Sequence, residues 1–211
     1  MSDDPPVTLS EAERQRRRVE GGEARAWLDA VEAALVARAL GRAAPEGPAL
    51  TAGQALAARA AVAAKFLAVG TPRTLGLVGT GDLAPLVVAA QRAYAAPREL
   101  RVFEANPIVA ARVASDVGGR VVSLAEGCAC DIVVAASGVS VRREWIRGGT
   151  LVTVLEEDVA LDPALLAAAQ VYGERAPAGV PSLRLVASLG AVAAGLVDGR
   201  VLDEIIISLP S

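Results

Sequence analysis

The chain has 211 residues, of which 53% are hydrophobic and 21% charged, with a formal net charge of −3. That balance excludes a disordered chain and gives no electrostatic footing for nucleic acid or an anionic membrane, and no apolar run reaches the ~18 residues of a membrane span. There is no histidine and a single lysine, Lys65, so proton transfer falls to carboxylates, tyrosines, thiols or water.

In chain order, the first residues are acidic and lack an apolar signal region, which with two closely spaced cysteines, Cys128 and Cys130, predicts a reducing cytoplasm. Leu9 to Leu40 carries helical signals: Ser10 as N-cap, and Ala24, Trp27, Val31, Ala34 and Leu35 at three- and four-residue spacing. Gly21 and Gly22 are expected to split this segment into two helices, and the basic run Arg14, Arg16, Arg17 and Arg18 reads as a polar helix face. Proline and glycine mark Arg42 to Ala49 as a linker. Leu50 to Ala68 is an alanine-rich helix that Thr51 is placed to cap.

From Thr74 the pattern becomes an alternation of strands and helices. Strands are expected at Thr74–Val78, Glu99–Phe103, Arg120–Leu124, Asp131–Ser137, Thr150–Leu155, about Gln170–Glu174, and Glu204–Leu209. Helices are expected at Leu83–Tyr94, Pro107–Val117 and Leu183–Leu196. Short β-branched runs separated by helices predict an α/β fold, a Rossmann-type doubly wound, mostly parallel sheet over residues 49–211, preceded by a helical N-terminal extension and linker over residues 1–48.

The chemistry concentrates at Gly79-Thr80-Gly81-Asp82-Leu83-Ala84, which fits G-x-G-x-x-G/A between a strand and a helix. In such a turn the first glycine permits the tight bend, the second lets backbone approach a pyrophosphate, and the small third residue lets helix pack on strand. The helix N-terminus adds N–H donors and partial positive charge. Glu104 ends the next strand, near the distance expected for an acid that accepts hydrogen bonds from ribose hydroxyls. A carboxylate there repels a 2′-phosphate, and the following residues are Ala105 and Asn106 rather than arginine. NAD is therefore expected over NADP. The acidic run Glu156-Glu157-Asp158 follows the fifth strand, where ligands bind in such sheets. Without histidine to complete a donor set, Cys128 and Cys130 read as core residues and no metal site is expected. Lys65 reads as a solvated or snorkelling side chain.

Leu50 to Ala84, then LRVFEANP, CDIVVAAS, GGTLVTV, LDPALL and the terminal GRVLDEIIISLPS, resemble the dinucleotide domain of the ornithine cyclodeaminase/mu-crystallin family. Gly199-Arg200 before an Asp-Glu-Ile strand is the most family-specific feature. The resemblance implies NAD(P)-dependent chemistry on small amino acids or imines. It also implies that Ser137 and Gly138 approach the nicotinamide ribose, and that Asp158 matches an acid used in catalysis. The family's strand-rich substrate and dimerisation domain, with its lysine, has no counterpart before Leu50, and the helix's substrate-gripping Arg-Thr pair is matched by Gln54 and Ala55. Gln54 can hydrogen-bond a carboxylate but supplies no charge. Two readings stand: an NAD-dependent oxidoreductase or cyclodeaminase-like enzyme, and a non-catalytic descendant serving as a nucleotide-binding or protein-interaction subunit. The extension either covers the sheet or makes a homodimer, with the dimer favoured, and a second subunit supplying the lysine and arginine would complete an enzyme.

Overall fold

The computed structural model describes residues 11–176, 183–200 and 202–210, with side chains from residue 22 onward. The expected N-cap Ser10 and the side chains of Arg14, Arg16, Arg17 and Arg18 lie outside these. Helix α1 runs unbroken over Glu11–Ala39, so Gly21 and Gly22 do not divide it. Glycine in a helix interior costs about 1 kcal/mol relative to alanine, a penalty that neighbouring turns absorb without a break. Ala24 and Leu35 are buried and Trp27 and Val31 pack against the core, as their spacing predicts; Leu28, outside that set, is buried as well, while Ala34, expected on the same face, is exposed.

Helix α2 (Ala52–Leu67) starts with a capping box in which Thr51 and Gln54 satisfy each other's backbone amides. Strand β1 (Thr74–Val78) leads through a 3₁₀ turn, Gly81–Leu83, into α3 (Ala84–Tyr94). Strand β2 (Glu99–Phe103) and α4 (Pro107–Val117) have the expected bounds, with Asn106 capping α4 through the amides of Ile108 and Val109. Strand β3 is only Arg120–Val121, because Ser123 and Glu126 form a second capping box that starts α5 (Leu124–Cys128). Then come β4 (Ile132–Ala135), β5 (Ser140–Val141), β6 (Leu151–Val154), β7 (Ala160–Leu161), α6 (Pro163–Ala167) and β8 (Ala169–Tyr172). Helix α7 is Leu189–Ala193, shorter than the expected Leu183–Leu196, and β9 (Ile205–Ser208) ends the fold. The helix is short because the preceding segment bonds to the sheet edge instead. Val186 N donates to Val171 O (2.8 Å), Gly173 N donates to Ala187 O (2.9 Å), and Ser188 caps α7.

Among the described residues, seven strands form one sheet in the order β3-β2-β1-β4-β6-β9-β8, and β5 pairs with β7 in a small second sheet. Every described pairing is parallel. Alternate residues enter opposite cores. Leu75, Leu77, Ile132, Val134, Leu151 and Ile206 join the helices α1 to α4 and α7, while Val133, Val152, Val154, Ile205 and Ile207 face the other layer. Leu28 and Leu35 of α1 belong to the first of these cores, so the extension packs as part of the sheet's cover. Lys65 is held by this packing: its Nζ donates to both Glu32 oxygens of α1, at 2.6 and 2.8 Å.

The Gly199-Arg200 pair has a structural role. A side chain at Gly199 would lie 2.3 Å from Val192 and 2.9 Å from the Phe66 carbonyl, and Arg200 donates to the Lys65 carbonyl near the end of α2. Both cysteines are buried; burial pushes Cys128 up to about 12, with the neighbouring Cys130 adding, and burial pushes Cys130 up to about 11. Among the described residues no helix is long and apolar enough to cross a membrane.

Candidate functional site

Strand order reverses between β1 and β4, and in open parallel sheets ligands bind in the crevice beyond the strand ends at that point. Two loops meet there: the glycine turn after β1 and Ser137-Gly138 after β4. Gly79 (φ +66°) takes a left-handed conformation in which a side chain would lie 2.7 Å from the Ser137 carbonyl and 2.8 Å from Val139. Only glycine lets the loops approach this closely. Gly81 (φ +48°) is also left-handed, but the space its side chain would enter is open. Together they make a bare stretch of backbone at the start of α3.

Glu104 bends back to this turn. Its Oε1 accepts from Gly81 N at 2.7 Å, leaving Oε2 for other donors. Thr80 is buried with a hydroxyl that has no hydrogen-bond partner among the described residues, and Leu83 N closes the 3₁₀ turn on Thr80 O at 2.9 Å. Asp82 points out of the turn: it is mostly exposed and pairs with Arg112 of α4 at 2.7 Å. The structure thus collects Gly79, Thr80, Gly81, Asp82, Leu83 and Glu104 at one end of the crevice. Gln54 sits at the start of α2, beside Gly53, whose Cα hydrogens face Leu83 and Leu86. Its amide oxygen accepts from Thr51 N (2.9 Å) and Thr51 Oγ1 (3.1 Å), so that oxygen is engaged in the helix cap.

The other loops converge from β4 and β6. Asp158 Oδ2 accepts from Gly138 N at 3.2 Å, and the Ser137 hydroxyl donates to Glu156. Glu157 pairs with Arg175, which follows β8. Glu156, Glu157 and Arg175 border a cavity of about 270 Å³ with Val154, Val159, Leu161, Leu209 and Pro210. It has an apolar body and a charged mouth, the character of small-molecule sites. Sequence reading singled out Asp158 from the acidic run and missed that Glu156 and Glu157 border the cavity with Arg175. It also missed Arg112. No local signal marks either arginine, because each reaches its acid only through the fold. Among the described residues no three His, Cys, Asp or Glu side chains converge as metal donors.

The architecture has relatives among solved structures. An archaeal alanine dehydrogenase dimer with bound NAD is 24% identical, with a TM-score of 0.68 over 75% of this chain and 57% of that one. The Thermococcus litoralis Δ1-pyrroline-2-carboxylate reductase, in complex with NADH and L-proline, is 21% identical, with a TM-score of 0.63 over 74% and 58%. A probable ornithine cyclodeaminase from Bordetella pertussis Tohama I is 26% identical, with a TM-score of 0.60 over 75% and 60%. The chain therefore spans under two thirds of the length of each of these chains. No curated protein matches the sequence. The family model for ornithine cyclodeaminase/mu-crystallin matches residues 40–209, the span that carries both the sheet order and the glycine turn, and the chain belongs to the ornithine cyclodeaminase/mu-crystallin family.

Proposed function

We propose that this chain binds NAD(H) across the crevice between β1 and β4 and serves an oxidoreductase acting on a small amino acid or cyclic imine. One observation carries the reading: two left-handed glycines bare the backbone at the start of α3 while Glu104 stands over the turn with one carboxylate oxygen uncommitted to it. These residues fit a dinucleotide. The helix dipole of α3 suits a pyrophosphate, the open space above Gly81 admits it, and Glu104 suits unphosphorylated ribose hydroxyls. The NAD- and NADH-bound relatives support the same assignment.

Bound there, the nicotinamide supplies a hydride carrier. Ser137 and Gly138 would border its ribose, and Asp158, fixed on Gly138 N, would handle a proton at its other oxygen or through water. The neighbouring cavity takes the substrate. Gln54 contributes a neutral hydrogen bond to a substrate carboxylate through its amide nitrogen. We further infer a cytoplasmic homodimer, which sedimentation of the purified protein checks.

A second reading is a nucleotide-binding or protein-interaction subunit without catalysis of its own. It is favoured by Gln54, neutral and partly committed to a helix cap where the family resemblance places an arginine. Titration with NADH, followed by energy transfer from Trp27 and Trp145 and by calorimetry, with NADPH in parallel, tests the common part. Binding at micromolar concentration supports it, and no binding up to about millimolar overturns it. Turnover of amino acids or imines by the NADH-competent protein then separates enzyme from subunit.

A further inference from the structure

No arginine follows Glu104 in sequence, yet the fold returns one to the same place. Arg112 lies on α4, and its Nη2 is 2.7 Å from Asp82 Oδ1 of the glycine turn and its Nη1 3.6 Å from Asp116. Asp82 adjoins Gly81, whose amide holds Glu104 at 2.7 Å. One guanidinium and two turn-side carboxylates therefore share the end of the crevice where a β2 acid meets the adenosine ribose. The hydrogen bond to Asp82, that residue's charge, and more weakly the charges of Asp116 and Glu104 hold the Arg112 guanidinium above its ordinary value.

An arginine at this corner is the group that accommodates a 2′-phosphate, because its fork matches phosphate oxygens. Here it stays charged but is paired to Asp82 across the turn. We propose that Asp82 is a specificity-determining residue that latches Arg112 away from the ribose pocket and, with Glu104, excludes a 2′-phosphate. This rests on the assignment of the crevice to a dinucleotide. Discrimination is then set by a pair as well as by the single acid: Glu104 repels the phosphate, and Asp82 withholds the cation that would receive it. Both latch residues are half-exposed or more. An ion pair in that setting contributes little to stability, so its removal leaves the fold intact.

The test compares the wild type, Asp82→Asn, and Asp82→Asn with Arg112→Ala. Each is titrated calorimetrically with NADH and NADPH, and with 5′-AMP and adenosine 2′,5′-bisphosphate as cofactor fragments. Thermal midpoints within about 2 °C of the wild type certify folding. Asp82→Asn is expected to tighten NADPH and the bisphosphate about threefold to fivefold more than NADH and 5′-AMP, and Arg112→Ala is expected to abolish that difference. An NADPH gain no larger than the NADH gain in Asp82→Asn, or a difference that survives Arg112→Ala, overturns the latch while leaving NADH binding standing. A wild type that binds neither dinucleotide nor either fragment overturns the dinucleotide reading and the latch together.

Discussion

The two ends of the crevice are built differently. At the β1–β2 end the lining is backbone: two left-handed glycines, the start of α3, and one acid returned to a glycine amide. At the β4–β6 end it is side chains from separate loops, with Ser137 on Glu156, Gly138 on Asp158, and Arg175 on Glu157 beside an apolar cavity. A backbone cradle needs only the right φ at two positions, so it survives drift in the surrounding side chains. A side-chain site must hold several loops in register, and each substitution there alters what fits.

The strongest way to break the contrast is Gly79→Ala, because Gly79 belongs to both ends. A left-handed alanine costs about 1–2 kcal/mol, and the clash with the Ser137 carbonyl adds about 1–3 kcal/mol. Thermal denaturation should show a large fall in midpoint. Gly81→Asp separates the ends. Its side chain enters open space, so the folding cost is only about 1–2 kcal/mol. The new carboxylate lies at the start of α3, where it opposes phosphate, and NADH affinity should fall by about a hundredfold in calorimetry.

Asp158→Ala should act on the other end alone. It removes the bond to Gly138 N, worth about 1 kcal/mol. NADH affinity should stay within about threefold, while single-turnover hydride transfer, once a substrate is found, should slow by about tenfold or more. A thermal scan of this variant together with the titration distinguishes loop loosening from lost chemistry.

A smaller effect comes from the opposite end of the strands, where Asp131 ties the start of β1 to β4. Burial raises its pKa, but the amides of Arg73 and Thr74, the Thr74 side chain and Arg147 outweigh burial and hold it below the ordinary value of 3.8. A carboxyl depressed in the folded state favours folding at pH above its unfolded value, and that contribution is lost as pH falls through the folded value. The midpoint should therefore drop below about pH 4, with a shallower drop in Asp131→Asn. The smallest expected effect is none at all. Cys128 and Cys130, raised to about 12 and about 11, should resist thiol reagents at about pH 8 until the protein unfolds.

Local signals carried much of this protein. Glu99–Phe103 and Pro107–Val117 were legible to the residue because alternation, Asn106 and Pro107 mark their ends. The glycine turn and Glu104 were legible because a strand, a turn and a helix impose residue types at short spacing. Where reading failed, local chemistry competed with itself. Ser123 ended a strand that its apolar neighbours would have continued, and the segment before Ser188 took sheet-edge bonds over helical ones. Gly21 and Gly22 looked like a break, but a helix tolerates them at a modest cost.

The alternation of elements, hence the parallel sheet, and the backbone cradle at its centre were written in the chain alone, because both depend on spacings of a few residues. Which side chains meet was left to the folded molecule. It paired Lys65 with Glu32, Asp82 with Arg112 and Glu157 with Arg175, partners 33, 30 and 18 residues apart. No periodicity encodes such pairs; they exist because helix packing and crossovers bring distant segments together, where charge and hydrogen-bond geometry act over a few ångströms of space, whatever the distance along the chain.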